Sequence, residues 1–441
     1  MKENSEGMWE AIMESGNLAR AWKQVRANRG APGVDGMSIE AFPAWAKEHW
    51  KEIAALLESG KYKPKPVRRV EIEKPGGGKR LLGIPSVLDR VIQQAIAQVL
   101  SKEVDGSFHP SSYGFRPGKS AHQAIKQLQA DKQSGYSQSV DLDLEKFFDR
   151  VNHEVLMRLL RRRIEDKRVL RLIGRYLRAG VEVAPSKVEP TSEGVPQGGP
   201  LSPLLANILL DELDKELEKR GHRFARYADD FVILTKSVRA ARRVYESIRQ
   251  WLERRLKLKI NTAKSRVCGV EEVEFLSFKL RGKRIVASEA AVREMRHRVK
   301  ELTGRSWGVS MRHRIKELNS YLRGWCGYFS LGLKWRSVVE WDKWLRRRMR
   351  MCWWKRWRGV RCRVRELLKL GCDQKRAVQT ALTRKSFWRL SRTYATQLGM
   401  TNDWLKEQGL VSLGDLWSAV HYPESKAKRR SKPEQANLWG W

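Results

Sequence analysis

Arg226-Tyr227-Ala228-Asp229-Asp230-Phe231-Val232-Ile233-Leu234 is the stretch whose reading decides the fold of this chain. Apolar runs at 224–227 and 231–234 predict two short strands, and the small-plus-acidic Ala228-Asp229 between them suits a tight hairpin turn. Two carboxylates then stand at a strand tip. Adjacent anions repel and raise each other's pKa unless a cation neutralises them, and Mg²⁺ prefers carboxylate oxygens shared with substrate phosphates. The competing reading is an exposed acidic turn, because turns favour Asp on local grounds alone. What weighs against it is a second acidic site upstream.

That site is Ser139-Val140-Asp141-Leu142-Asp143-Leu144-Glu145-Lys146-Phe147-Phe148-Asp149. Period-two alternation puts Val140, Leu142 and Leu144 on one face and Asp141 and Asp143 on the other. Taken alone, it reads as a half-exposed strand with solvated aspartates. If it pairs beside the Tyr227 hairpin, an Asp from each segment converges on one point, as two-metal phosphoryl transfer requires.

Composition narrows the partner. The 441 residues suffice for two or three domains, and 88 Lys and Arg against 50 Asp and Glu leave a formal charge of +38. Self-repulsion of that size points to a polyanion. No long uncharged apolar run appears, and Met1-Lys2-Glu3-Asn4-Ser5-Glu6 lacks the hydrophobic core of a signal peptide, so neither membrane insertion nor export is expected. Cys268, Cys326, Cys352, Cys362 and Cys372 are an odd number with no Cys-x-x-Cys pair. They read as reduced thiols in a cytoplasmic protein, with neither a disulfide framework nor a zinc site.

Outward from the acidic segments, residues 8–58 read as helices broken at 28–36. There Arg26 and Arg29 serve either a phosphate or nothing beyond a connector. Val67 to Lys74 alternates like a strand, turns at Pro75-Gly76-Gly77-Gly78 and returns through 79–85, with Lys65 and Arg80 as candidate phosphate ligands. An apolar helix spans 89–100. The loop 111–120, with Tyr113-Gly114-Phe115-Arg116-Pro117-Gly118, interleaves aromatic and basic residues, the combination that stacks on bases and neutralises phosphate. Glu193 to Pro203 is a Gly/Pro loop in which glycine permits close backbone approach to a nucleotide beside Gln197. It feeds a helix with Leu205, Leu209, Leu213 and Leu217 inward, stopping near Gly221. A basic amphipathic helix spans 238–256, and a strand is expected over 273–280.

Beyond Arg305 the composition shifts, with 13 of the 18 tryptophans mixed among arginines. One helix carries Ile315, Leu318 and Leu322 and is expected to stop at Gly324. Another carries Val338, Trp341, Leu345 and Met349 inward, with Arg346, Arg347, Arg348 and Arg350 largely opposite. Arginines so crowded repel in water, which suits a nucleic-acid backbone. A small helical module follows, and the polar end after His421-Tyr422-Pro423 is expected to be disordered.

Four motifs together, Tyr227-Ala228-Asp229-Asp230, Val140-Asp141-Leu142-Asp143 with Phe147-Phe148-Asp149, Pro196-Gln197-Gly198-Gly199-Pro200-Leu201-Ser202-Pro203, and Tyr113 to Gly118, resemble bacterial group II intron reverse transcriptase/maturases over residues 28–417. The resemblance implies an α+β right-hand polymerase fold, with fingers and palm on an antiparallel sheet followed by a helical thumb and a small helical C-terminal module. The division it implies is 1–110 for an N-terminal extension and fingers, 111–290 for fingers and palm, 291–375 for thumb or maturase domain, and 376–441 for a DNA-binding-like module.

By the same resemblance, Asp143, Asp229 and Asp230 hold two Mg²⁺ ions, with Leu144 adding a backbone carbonyl, and Lys264 donates a proton to the leaving pyrophosphate. Phe148 crowds the sugar 2′ position, Gln197 lies along the incoming nucleotide, and Lys65 and Arg80 hold its triphosphate. Arg116 contacts the template, Phe275 and Leu276 support the primer end, and Arg346, Arg347 and Arg350 grip RNA. The implied partners are a group II intron RNA, an RNA template, a DNA primer or target and dNTPs. Many family members end in an His-Asn-His endonuclease domain, and nothing after Trp417 resembles one, so a short form using nicked or single-stranded DNA primers is expected. Two rivals remain at this point: an RNA-binding splicing cofactor with vestigial catalysis, and a domesticated relative in DNA repair or phage defence.

Overall fold

The acidic hairpin forms as its sequence predicts, and a computed structural model describing residues 7–73, 77–184 and 187–423 shows what surrounds it. The strands in chain order are β1 (Val67–Glu73), β2 (Lys79–Ile84), β3 (Gln138–Leu142), β4 (Val181–Ala184), β5 (Lys187–Glu189), β6 (Arg223–Tyr227), β7 (Asp230–Thr235), β8 (Arg266–Gly269), β9 (Phe278–Arg281) and β10 (Arg284–Ala287). The chain divides into two compact units, Met1–Phe275 and Leu276–Trp441.

In the first unit the site sits on a four-stranded antiparallel sheet ordered β6-β7-β3-β8. Alternation along β3 is realised: Val140 and Leu142 are wholly buried and Leu144 nearly so. Their face packs into one core with the helices Val87–Val104 and Ser202–Lys219, to which Leu205, Leu209, Leu213 and Leu217 contribute. Burying such side chains contributes about 1.5–3 kcal/mol each, so the register of β3 is strongly specified. A slip of one residue would drive Asp141 and Asp143 into the core. Helices at Met8–Met13, Ser15–Ala27 and Phe42–Glu58 pack against the same core.

A second sheet, β2-β1-β4-β5, carries the β1–β2 hairpin. It is not wholly antiparallel, because Val67 of β1 pairs in parallel with Val181 of β4. Parallel neighbours need a long crossover, and more than a hundred residues separate these strands. The expected hairpin tip at Lys74, Pro75 and Gly76 lies outside the described residues, as does the tail after Pro423.

Two local expectations fail. The strand expected over 273–280 is broken, because Leu276 and Ser277 adopt left-handed backbone (φ 52° and 62°) and only Phe278–Arg281 pairs, with β10. Nor does the helix stop at Gly324, for Met311–Phe329 runs through it. A mid-helix glycine costs only about 1 kcal/mol, and buried Trp325 and Cys326 with Phe329 packed beside them outweigh that.

The rest of the second unit is helical, with Glu289–Leu302, Met311–Phe329 and Trp335–Arg356 around a core that includes Leu318, Leu322, Leu345 and Met349. Leu413–His421 packs on this core, with Leu413 N donating to Asp342 Oδ1. The five cysteines are unbridged. Among the described residues no helix is long and apolar enough to cross a membrane.

Candidate active site

Ala228 turns the acidic hairpin in left-handed backbone (φ 59°), a conformation that costs a non-glycine residue about 1–2 kcal/mol. The surroundings over-determine it. Arg226 is wholly buried and spends its guanidinium on four partners: Nε and Nη2 donate to the Asp214 carboxylate, Nη1 to Asn207 Oδ1 (3.0 Å) and to the Ala228 carbonyl (2.9 Å), and Nη2 also to Ser112 Oγ. Burial pushes the Asp214 carboxyl up, and the Arg226 charge pulls the other way. The loop 111–114 is laced alongside, with Tyr113 N donating to Arg226 O (2.8 Å) and Arg226 N to Ser111 O (2.9 Å). Gly114 is required there, since a Cβ on it would lie 2.2 Å from Ala228 N.

Strand β3 brings the second acidic segment to this turn. Leu142 pairs with Phe231. Asp143 directly follows Leu142 and Asp230 directly precedes Phe231, so the two acids stand at the same end of the paired strands. Asp143 is held through its backbone: its N donates to Ser265 Oγ (3.0 Å), and its carbonyl accepts from Asn261 N (2.7 Å). Leu144 is bridged to Ile260. Lys264 Nζ stands 3.8 Å from Asp143 Oδ2, and Arg266 Nε 3.6 Å from Asp141 Oδ2.

The carboxylates disturb one another. Asp230 is pushed up to about 7, first by loss of solvent around its carboxyl and then by Asp141, Asp229 and Asp143. Asp229 is raised by burial and by Asp143, while its own backbone N–H, Arg80 and Arg226 oppose the shift. Arg80 is thus in electrostatic reach of the site.

Among the described residues no group of three His, Cys, Asp or Glu side chains is arranged to hold a metal ion. The donor chemistry nonetheless fits one. Hard carboxylate oxygens are clustered so that Asp143 raises Asp229, and Asp141, Asp229 and Asp143 raise Asp230, a penalty that a bound divalent cation removes.

Phe148 and Gln197 come together, with Lys146, Gly83 and Pro196, around a cavity of about 260 Å³. Phe148 O accepts from Val195 N (2.6 Å), and Gly83 N donates to Gln197 O (2.8 Å), so both flanks are pinned by backbone. Lys65 is not among the residues lining this cavity. It lines a separate small cleft with Asp89 and Tyr176, its Nζ 3.2 Å from Asp35 and its N donating to Asp89 Oδ2.

Burial and internal hydrogen bonds occupy several side chains that the sequence assigned to nucleic acid. Arg116 is not available to a template: its guanidinium donates to the Asp105 carboxylate and carbonyl and to the carbonyls of His109 and Ser112, leaving its side chain 6% exposed. Its neighbour Phe115 is exposed instead, at 53%. Phe275 is buried and offers no surface to a primer; Leu276 is half-buried, and its carbonyl accepts from Tyr328 Oη (3.0 Å). The arginines of Trp335–Arg356 do not form one open face. Arg348 donates to Lys300 O and Thr303, Arg350 to Met400 O and Asn402, Arg347 to Trp388 O, and Arg346 pairs with Asp342.

Sequence reasoning missed the Arg226–Asp214 pair with Ser112 and Asn207. A signal was present, since Asn207, Asp211 and Asp214 interrupt an apolar helix, and acids are almost never fully buried unless paired.

Two family models match the chain: "Reverse transcriptase (RNA-dependent DNA polymerase)" over residues 72–280 and "Group II intron, maturase-specific domain" over 292–371. Protein YkfC of Escherichia coli is 34% identical over 319 residues, covering 63% of this chain and 82% of that protein. The group II intron-encoded protein LtrA of Lactococcus lactis is 37% identical over 196 residues, which are 44% of this chain and 32% of that protein. Among solved structures, a telomerase from Candida albicans aligns with a TM-score of 0.44 at 13% identity, covering 78% of this chain and 68% of that one.

Proposed function

We propose, on the premise that this chain belongs to the group II intron reverse transcriptase/maturase family and has the right-hand polymerase fold, that it copies RNA into DNA and assists the splicing and mobility of an intron RNA. The observation that carries this reading is the meeting of β3 with the β6–β7 hairpin, which sets Asp143 beside the Asp229-Asp230 turn. Three clustered anions have no use in a protein that only binds RNA.

The family uses divalent metal ions. We assign two Mg²⁺ to Asp143, Asp229 and Asp230, with the Leu144 carbonyl. Bound there, the ions supply the charge that activates a primer 3′-hydroxyl and steadies the leaving pyrophosphate. The chain's own groups do the rest. Arg80 draws the triphosphate toward Asp229, with Lys65 as a further phosphate ligand once it leaves Asp35. Phe148 closes the cavity floor against a 2′-hydroxyl, and Gln197 lies along the nucleotide. Lys264, already beside Asp143, delivers a proton to pyrophosphate. Nucleic acid is the partner class, and the nearer identities are an intron RNA, an RNA template, a DNA primer and dNTPs. In this reading residues 1–110 and 111–290 act as fingers and palm, 291–375 as thumb, and 376 onward as a DNA-binding module, in the cytoplasm.

The test is dNTP incorporation on an RNA template with a DNA primer. Asp229→Ala abolishes incorporation while leaving RNA affinity within a few-fold. Equal incorporation by variant and wild type removes the polymerase assignment. RNA binding by a wild type that never extends a primer points to a splicing cofactor instead.

A further inference from the structure

In the second unit, the helix Trp335–Arg356 and the segment 388–402 enclose a cavity of about 650 Å³, within the range of small-ligand sites. Five of its lining residues are cationic: Lys343, Arg346, Arg347, Arg350 and Arg392. No carboxylate lines it among the described residues. One acid acts from outside, Asp342 on Arg346, and Asp342 is itself occupied by Ser412 and Leu413 N.

The cations are pre-set. Arg350 is fixed by the Met400 carbonyl (2.7 Å) and Asn402 Oδ1 (3.1 Å). Arg347 lies over the Trp388 ring at 3.8 Å, held by a bond to the Trp388 carbonyl, and its buried Nε has no partner. Burial and the neighbouring Arg392 charge both push Arg347 below its ordinary pKa, and burial and Arg346 do the same to Arg350. Such like-charge crowding is relieved by an anion. A bare phosphate would leave the Arg347–Trp388 stack idle, and an acidic peptide would not use its flat surface. An unpaired nucleotide matches both parts, because bases stack on aromatic rings and on guanidinium planes while phosphate takes the remaining cations.

We propose that this cavity receives one unpaired nucleotide of a bound RNA, its base against the Arg347–Trp388 stack and its phosphates on Arg346, Arg392 and Lys343. The proposal rests on the RNA-partner reading above and deepens it: residues 343–350 fall within the matched maturase-specific region, yet they form a receptor for a single nucleotide instead of an open face that tracks a backbone. Gln397 Nε2 donates to Arg392 O and Asn402 Oδ1 accepts from Arg350, so Gln397 Oε1 and Asn402 Nδ2 are the amide atoms suited to a base edge at the same cavity.

The experiment uses the full chain. Wild-type protein is cross-linked to single-stranded RNA carrying 4-thiouridine, and the adducts are mapped by mass spectrometry. Adducts within 343–350 or 388–402 are expected, and adducts confined to other segments overturn the proposal. Affinities are then measured for a single-stranded RNA and a blunt RNA duplex of equal length. Trp388→Ala weakens the single strand about ten-fold, within the effect of losing one stacking platform, and the duplex less than about two-fold. Arg392→Gln, at an exposed position where folding is not at stake, weakens the single strand in the same selective way, and Arg392→Lys restores most of it. Equal losses on both RNAs, or none, overturn the nucleotide receptor. A wild type that binds neither RNA overturns the functional reading instead, so the two failures are distinguishable.

Discussion

Replacing Arg226 with Met removes the guanidinium that ties the acidic turn to the helix beneath it. Five donor–acceptor contacts vanish, two of them to Asp214, which is left wholly buried without its counter-charge. Breaking one partner of a buried ion pair costs about 3–5 kcal/mol, a large share of the roughly 5–15 kcal/mol that holds a typical protein folded. That loss alone does not distinguish a structural staple from a device that places Asp229 and Asp230. The double variant Arg226→Met/Asp214→Leu does. Exchanging both partners for apolar groups is often neutral or stabilising, so its urea midpoint returns most of the way to wild type. Primer extension does not return, because the Ala228 carbonyl still lacks its donor and the left-handed turn relaxes. A misplacement of about 1 Å costs on the order of 100-fold in rate. A double variant that regains both stability and full extension would show that the pair has no part in positioning the carboxylates.

Asp230 gives a pH prediction. Its pKa rises from the ordinary carboxylate range to about 7 in the folded chain, so between pH 4 and 7 the folded state binds more protons than the unfolded state, and this group's contribution to stability falls as pH rises through that window. Asp230→Asn therefore raises the denaturation midpoint at pH 8 and leaves it nearly unchanged at pH 4; a pH-independent difference would refute the shift. Arg116→Gln destabilises the fold by about 1–3 kcal/mol, through loss of the bonds to Asp105, His109 and Ser112, and so lowers the thermal midpoint, with template affinity of the folded protein unchanged within about two-fold. Intact stability with weakened template binding would restore the sequence expectation. Gly324→Ala stabilises the second unit by up to about 1 kcal/mol, since the position is mid-helix and a Cβ there meets nothing within 4 Å; a lower midpoint would mean the glycine is needed for close approach.

What the sequence by itself determined was local and periodic. Alternation at 139–144 was enough to separate Val140 and Leu142 from Asp141 and Asp143, and Ala228-Asp229 between two apolar runs was enough for the hairpin. Both follow from a backbone repeat of two and from turn chemistry, which a short window contains. The four motifs in order sufficed for the family. Tertiary structure decided where charge goes. Arg116 was read as a template contact and is a loop staple. The arginines of Trp335–Arg356 were read as one solvent face and are divided among Lys300, Trp388, Met400 and Asn402. Arg226 meets Asp214 and Asn207 from one helix and Ser112 from a separate loop. A long cationic side chain has the same local signature whether it reaches water, a phosphate or a carbonyl a hundred residues away. Its partner is set by which distant segments the core brings together, and no window of sequence contains that choice.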